Sequence, residues 1–220
     1  MSGWERTHFP IQLPLTEKGW ELFGGTILSN HLTVVTRPTS LAPQVNTHCL
    51  PPWSSEYIGS ETTYDGRVIA VIGKRESVLG IGLDFQKRLS LEEAAVLATS
   101  IVTTEELSRL SESIPDLTYL LALILSAKES TFKCLYPIVK TFFELSTMEI
   151  TEFSRPNRTL KLRLRKSLAP QLPSGIEIHG HFAITPHGVH TLVGILPEQV
   201  GKACDPTLSA KVIPFRRAVP

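Results

Sequence analysis

Cysteine is scarce. Three in 220 residues, Cys49, Cys134 and Cys204, stand far apart and odd in number. That excludes a disulfide framework and a CxxC pair, and makes a reducing cytoplasm the expected compartment. An excess of one charge is missing too. Lys and Arg number 22 against 21 Asp and Glu, a net +1, so no global field recruits nucleic acid. No apolar run approaches the roughly 20 residues of a membrane helix. Leu120–Leu125 soon meets Lys128 and Glu129 and reads as buried helix. The opening residues MSGWERTHF lack the basic-then-apolar order of a secretory signal. Gly80-Ile81-Gly82 lacks the third glycine and the following helix of a dinucleotide loop. What remains is 42% hydrophobic and 20% charged, ample for a core in one domain or two small ones.

The most informative stretch is Leu120–Pro137, with Ser126-Ala127-Lys128-Glu129-Ser130-Thr131-Phe132-Lys133 at its centre. The apolar run before it predicts a helix, capped by Asp116 and ended or kinked at Pro137. Glu129 and Lys133 are four apart and share a helix face, with Lys128 beside them. One reading is a surface ion pair contributing roughly 0.3–0.5 kcal/mol. The other is a site for a metal and a polyphosphate. Upstream, Ile81-Gly82-Leu83-Asp84-Phe85-Gln86 reads as a short strand. Alternation puts Asp84 and Gln86 on one face, Leu83 and Phe85 on the other. With Glu129 these form an all-oxygen donor set of the kind that suits Mg²⁺, whose remaining positions go to water and phosphate.

The rest of the chain reads in order. Residues 1–16 are extended. Leu15–Leu32 fits one helix face at Trp20, Phe23, Ile27 and Leu28, weakened by Gly24-Gly25. His31–Pro52 is a loop with one strand at Leu32–Thr36. Thr62–Ile72 is a hairpin turning at Asp65-Gly66. Ser90-Leu91-Glu92-Glu93 is a capping box opening a helix to about residue 98. Thr103 or Thr104 caps a second helix to Ser111. Leu160, Leu162 and Leu164 alternate with Lys161, Arg163 and Arg165. That is a half-exposed strand whose basic face is either a charge-guarded edge or a contact for an acidic partner. Gly175–Ile184 and Gly188–Leu196 form a last hairpin about Pro186-His187-Gly188, and 197–220 is a loose tail. Among His179, His181, His187 and His190, the first two share a strand face, but His187 sits in a turn. No Cys or carboxylate stands at ligand spacing, which argues against zinc.

IGLDFQ followed by LSAKESTFK resembles the paired signature of the 4′-phosphopantetheinyl transferases, IG(I/V)D(I/V)E and then (F/W)SxKExxxK. The siderophore-synthase type is the nearest in wording. Pro52-Trp53 with Tyr57-Ile58-Gly59-Ser60 resembles the family's PxW…(Y/F)GSISH segment, Ala98–Glu105 the segment before its (T/S)xxE helix, and Phe142–Glu152 its (F)xDxxxxxV strand. Leu22-Phe23-Gly24-Gly25-Thr26 resembles a remnant of the family's CoA-side helix. The sequence departs from the family on the cofactor side: Thr26 stands for Arg, Thr63 for His and Gln86 for Glu, and the N-terminal part is short.

The resemblance implies an α+β fold of two similar subdomains, each a small, mainly antiparallel sheet packed on a helix. It divides the chain into an N-terminal subdomain at 1–77, a C-terminal one at 78–196 and a tail at 197–220. It implies Mg²⁺-dependent transfer of 4′-phosphopantetheine from CoA to a serine of an acyl or peptidyl carrier protein in siderophore, nonribosomal peptide or polyketide synthesis. Asp84, Gln86 and Glu129 would hold Mg²⁺. Glu129 would be the base and Lys133 its catalytic companion. Lys128, Lys133, Ser60 and Thr63 would bind CoA. The expected protein is a cytoplasmic monomer without a membrane span or nucleic-acid partner. The three departures keep a second reading open, a non-catalytic or weakly active relative serving as a binding or scaffold protein.

Overall fold

The computed structural model describes residues 32–38, 56–64 and 67–200. The fold is α+β, with two antiparallel sheets and helices packed against them. The first sheet has strands β1 (Leu32–Pro38), β2 (Tyr57–Tyr64) and β3 (Arg67–Lys74), in the order β1-β3-β2. Tyr64 pairs with Arg67, so the β2–β3 hairpin closes over two residues. Asp65 and Gly66, expected to form that turn, lie outside the described residues, as do residues 15–31 of the expected Leu15–Leu32 helix, Thr26 with them, and the tail from residue 201; Leu32 itself opens β1.

The second sheet holds β4 (Gly80–Lys87), β5 (Met148–Ser154), β6 (Thr159–Leu164), β7 (Glu177–Thr185) and β8 (Gly188–Ile195). Their order is β4-β8-β7-β6-β5. The expected boundary at 77/78 falls in the link between β3 and β4. Helix α1 spans Leu91–Ile101 behind the Ser90–Glu93 capping box, three residues longer than the sequence suggested. Helix α2 spans Thr104–Ser111, and the Thr103 hydroxyl caps it. Helix α3 spans Leu117–Val139, with Asp116 accepting from the N–H groups of Thr118 and Tyr119.

Pro137 does not end α3. The helix continues two residues and stops where Lys140 turns left-handed at φ 56°. The expected strand at 142–152 begins only at Met148, after a short 3-10 turn at Leu145–Thr147. Phe142 and Phe143 instead lie against the Phe132 ring, at 5.7 and 4.8 Å. At the tail, Pro197–Gln199 forms a 3-10 turn and Val200 is buried, so this much of it is packed.

Alternation along the second sheet assigns its two faces. Leu160, Leu162 and Leu164, with Ile178, Phe182, Val189 and Val193, bury against α3 in the main core. The other face contributes Ile81, Leu83, Ala183 and Leu192 to a second core with Ile58, Tyr64, Ile69 and Val71 of the first sheet. Among the described residues no helix is long and apolar enough to cross a membrane.

Candidate functional site at the seam of the two sheets

Strand β4 is an edge of its sheet, and its unpaired side carries free N–H groups. Strand β2 covers them with side chains: the buried Ser60 hydroxyl accepts from Leu83 N–H at 2.9 Å and Thr62 Oγ1 from Phe85 N–H at 3.1 Å. The hydroxyls thus satisfy donors that would cost free energy if left buried and unbonded. This seam meets α3 because β4 presents glycines to the helix. A Cβ on Gly82 would stand 1.6 Å from the Ser130 carbonyl oxygen, and one on Gly80 2.3 Å from that of Cys134. Only glycine permits this backbone approach.

These contacts fix the register of helix on strand. Two residues forward on β4 correspond to four back on α3, which brings Asp84 level with Ser126. A second set of contacts gives the same level. Thr191, the strand partner of Asp84, meets Ser126 Oγ at 2.8 Å and Ser130 Oγ at 2.6 Å through its own hydroxyl. Side chains on a helix point toward its N-terminus, so Lys133 reaches back along α3 toward Asp84. Its ammonium donates to Asp84 Oδ1 at 2.8 Å, Leu83 O at 3.0 Å and Glu61 O at 3.3 Å. Glu129 lies one turn nearer Asp84 on the same helix face and is half-buried. Gln86 is half-buried near the end of β4, its Nε2 donating to Lys87 O at 3.3 Å. Of the expected site residues, β4 and α3 therefore bring together Asp84, Lys133 and the face that carries Glu129.

Lys128 is not with them. Five residues from Lys133 at 100° each place it about 140° around the helix. Its side chain is 1% exposed, and its ammonium donates to Glu106 Oε2 at 2.8 Å and to the Ile101 carbonyl. Glu106 Oε1 in turn accepts Ile150 N–H at 2.7 Å. Burial holds the Lys128 ammonium below the usual lysine range, with the Glu106 charge opposing that shift. The sequence singled out Lys128 but not Glu106. The trace of Glu106 was its place on the buried stripe of α2 with Leu110.

Ser60 is occupied by the Leu83 N–H, while Thr63 is exposed on β2. The basic face of β6 is matched by acids on neighbouring strands: Lys161 pairs with Glu152 at 2.7 Å and Glu177 at 3.5 Å, and Arg163 with Glu149. The histidines separate. His179 is exposed and His181 buried on β7, and His187 lies in the β7–β8 turn. His190 is buried between the rings of Tyr64 and Phe85, at 5.0 and 4.6 Å, and its Nε2 has no hydrogen-bond partner. Burial lowers its pKa to about 4, against the raising influence of Asp84. Among the described residues no group of three or more His, Cys, Asp or Glu is placed to hold a metal.

The donor chemistry nevertheless fits a hard cation. Asp84, Glu129 and the Gln86 amide are oxygen donors, and the Lys133 ammonium already places one positive charge among three oxygens there. A strand carboxylate and an ammonium 2.8 Å apart, with a second carboxylate on the ammonium's own helix face, lie where the two sheets meet. The segment that builds most of this site is similar to a known family: residues 80–185, from β4 to the end of β7, match the family model of the 4′-phosphopantetheinyl transferase superfamily. The match spans just under half of the chain. No curated protein matches the sequence.

Proposed function

We propose that this protein transfers 4′-phosphopantetheine from CoA to a serine hydroxyl of an acyl or peptidyl carrier protein, with Mg²⁺ bound at the seam. The observation that carries this reading is the Asp84–Lys133 pair, 2.8 Å apart, with Glu129 on the same face of α3, inside the matched segment. Asp84 and Glu129 would be the carboxylates that hold the metal, and Gln86 would add a neutral amide oxygen. When bound, Mg²⁺ neutralises charge that builds on the CoA diphosphate.

The remaining steps belong to side chains of this chain. Glu129 takes the proton from the serine hydroxyl as its oxygen bonds to the phosphorus carrying the pantetheine. The bond from that phosphorus to the bridging oxygen breaks, and 3′,5′-ADP leaves. Lys133 steadies the leaving phosphate. Lys128 acts through the fold by pinning α3, and Ser60 by holding β2 to β4. Thr63, exposed on β2, is free to meet CoA. The carrier belongs to a siderophore, nonribosomal peptide or polyketide assembly line, after the subtype whose motifs read closest.

The buried Lys128, with neutral Thr63 and Gln86, supports a second reading, a non-catalytic or weakly active relative serving as a binding or scaffold protein in a biosynthetic complex. Intact-mass measurement of apo carriers incubated with protein, CoA and Mg²⁺ separates the two. A gain of one phosphopantetheine that vanishes with EDTA is expected. No gain across several carriers, with CoA binding also absent by calorimetry, supports the second reading.

A further inference from the structure

Lys133 has three N–H donors, and the structure gives it three acceptors: Asp84 Oδ1, Leu83 O and Glu61 O. The ammonium is thereby saturated. It also occupies one oxygen of the carboxylate that a divalent cation would need. The Asp84 carboxylate and the Lys133 ammonium form an ion pair at 2.8 Å, so the negative charge a cation would meet at Asp84 is already matched. A bare divalent ion entering here must draw an ammonium away from three acceptors at once. We infer that Lys133 is the resident cation of this site, excluding free divalent metal until a diphosphate ligand draws its ammonium off Asp84. The inference rests on the transferase reading for the identity of that ligand, CoA, but not for the competition between ammonium and metal.

The competition follows from chemistry. Ammonium and divalent ion share the Asp84 oxygen, and like charges at hydrogen-bond range repel. A diphosphate changes the balance in two ways. Its oxygens give the ammonium new charge-assisted bonds, and they fill metal positions that this chain leaves to substrate. Metal and CoA then bind with positive coupling, and the coupling is the same whichever is added first. The pair is open to solvent: the Lys133 side chain is 24% exposed and that of Asp84 13%, against 1% and 0% for Lys128 and Glu106.

The test is Mn²⁺ binding, read as loss of the free-ion electron paramagnetic resonance signal, with no CoA present. Lys133→Met is expected to bind Mn²⁺ at least about tenfold more tightly than wild type, the affinity equivalent of one charge-assisted hydrogen bond. Lys133→Met combined with Asp84→Asn is expected to lose that gain, which places it at Asp84. Equal Mn²⁺ affinity of wild type and Lys133→Met, both folded by circular dichroism, overturns the inference and leaves transfer chemistry standing. If Lys133→Met does not fold, wild type decides by calorimetry. CoA affinity rising at least about tenfold with Mg²⁺ upholds the coupling, and CoA binding equally well with and without Mg²⁺ overturns it. CoA that fails to bind at any metal level overturns the transferase reading and the diphosphate half of the inference together, while the Mn²⁺ comparison still judges the ammonium.

Discussion

Lys128, expected at the CoA phosphates, is buried against Glu106 instead, and its energetics follow from those surroundings. Its side chain is 1% exposed and that of Glu106 0%, with the two in contact at 2.8 Å. Removing one member of such a pair strands a buried charge and costs about 3–5 kcal/mol. For a chain of this size each kcal/mol moves the melting temperature by about 2–4 °C, so Lys128→Met should lower it by about 6–20 °C. Glu106→Gln should do the same, because the amide leaves the ammonium without its countercharge. The double variant should cost less than the two singles added, by about 2 kcal/mol or more, since no buried charge is then left unpaired. Urea and thermal unfolding followed by circular dichroism measure all three. A Lys128→Met protein within about 1 kcal/mol of wild type but weakened for CoA would refute the reasoning: the ammonium would then reach the phosphates, not the interior.

Further outcomes follow from the same contacts. His190 has its pKa lowered to about 4, so the unfolded chain binds the proton more readily between that value and its ordinary 6.5. The unfolded state thus gains protons as pH falls through this window, and up to about 3 kcal/mol of stability is lost from pH 6.5 to pH 4. His190→Phe should flatten that part of the stability–pH curve in urea unfolding, and an unchanged slope would contradict the assignment. Gly82→Ala places a Cβ 1.6 Å from backbone that no rotamer change can clear, so a loss of about 3 kcal/mol or more, or failure to fold, is expected. Ser60→Ala leaves the Leu83 N–H without its acceptor and should cost about 1–3 kcal/mol, with faster amide exchange at Leu83 as the direct readout.

Much of the fold was legible because its signals are local. The Ser90 capping box, the Thr103 and Asp116 caps and the Leu160–Leu164 alternation each depend on residues within a few positions, and each stands where it was read. The site was legible in part for the same reason. Period 2 on β4 and period 3.6 on α3 point Asp84 and Lys133 at a common seam. Partners from distant strands were hidden. Lys128 looked like a neighbour of Lys133 because the two share a motif, but the helix turns it toward Glu106, 22 residues upstream. The basic face of β6 looked free because alternation sees one strand, while Glu149, Glu152 and Glu177 come from the strands on either side. The late start of β5 reflects the left-handed Lys140 and the packing of Phe142 and Phe143 on Phe132, which local β propensity does not report.

The central claim is that Asp84 and Glu129 at the seam carry the transfer. The most direct measurement is the rate at which wild type, Asp84→Ala and Glu129→Gln load an apo carrier protein, read by intact mass with CoA and Mg²⁺ in excess. The account predicts a loaded carrier with wild type and a loss of at least about 100-fold in each variant, both still folded. Loading by both variants at the wild-type rate would contradict it.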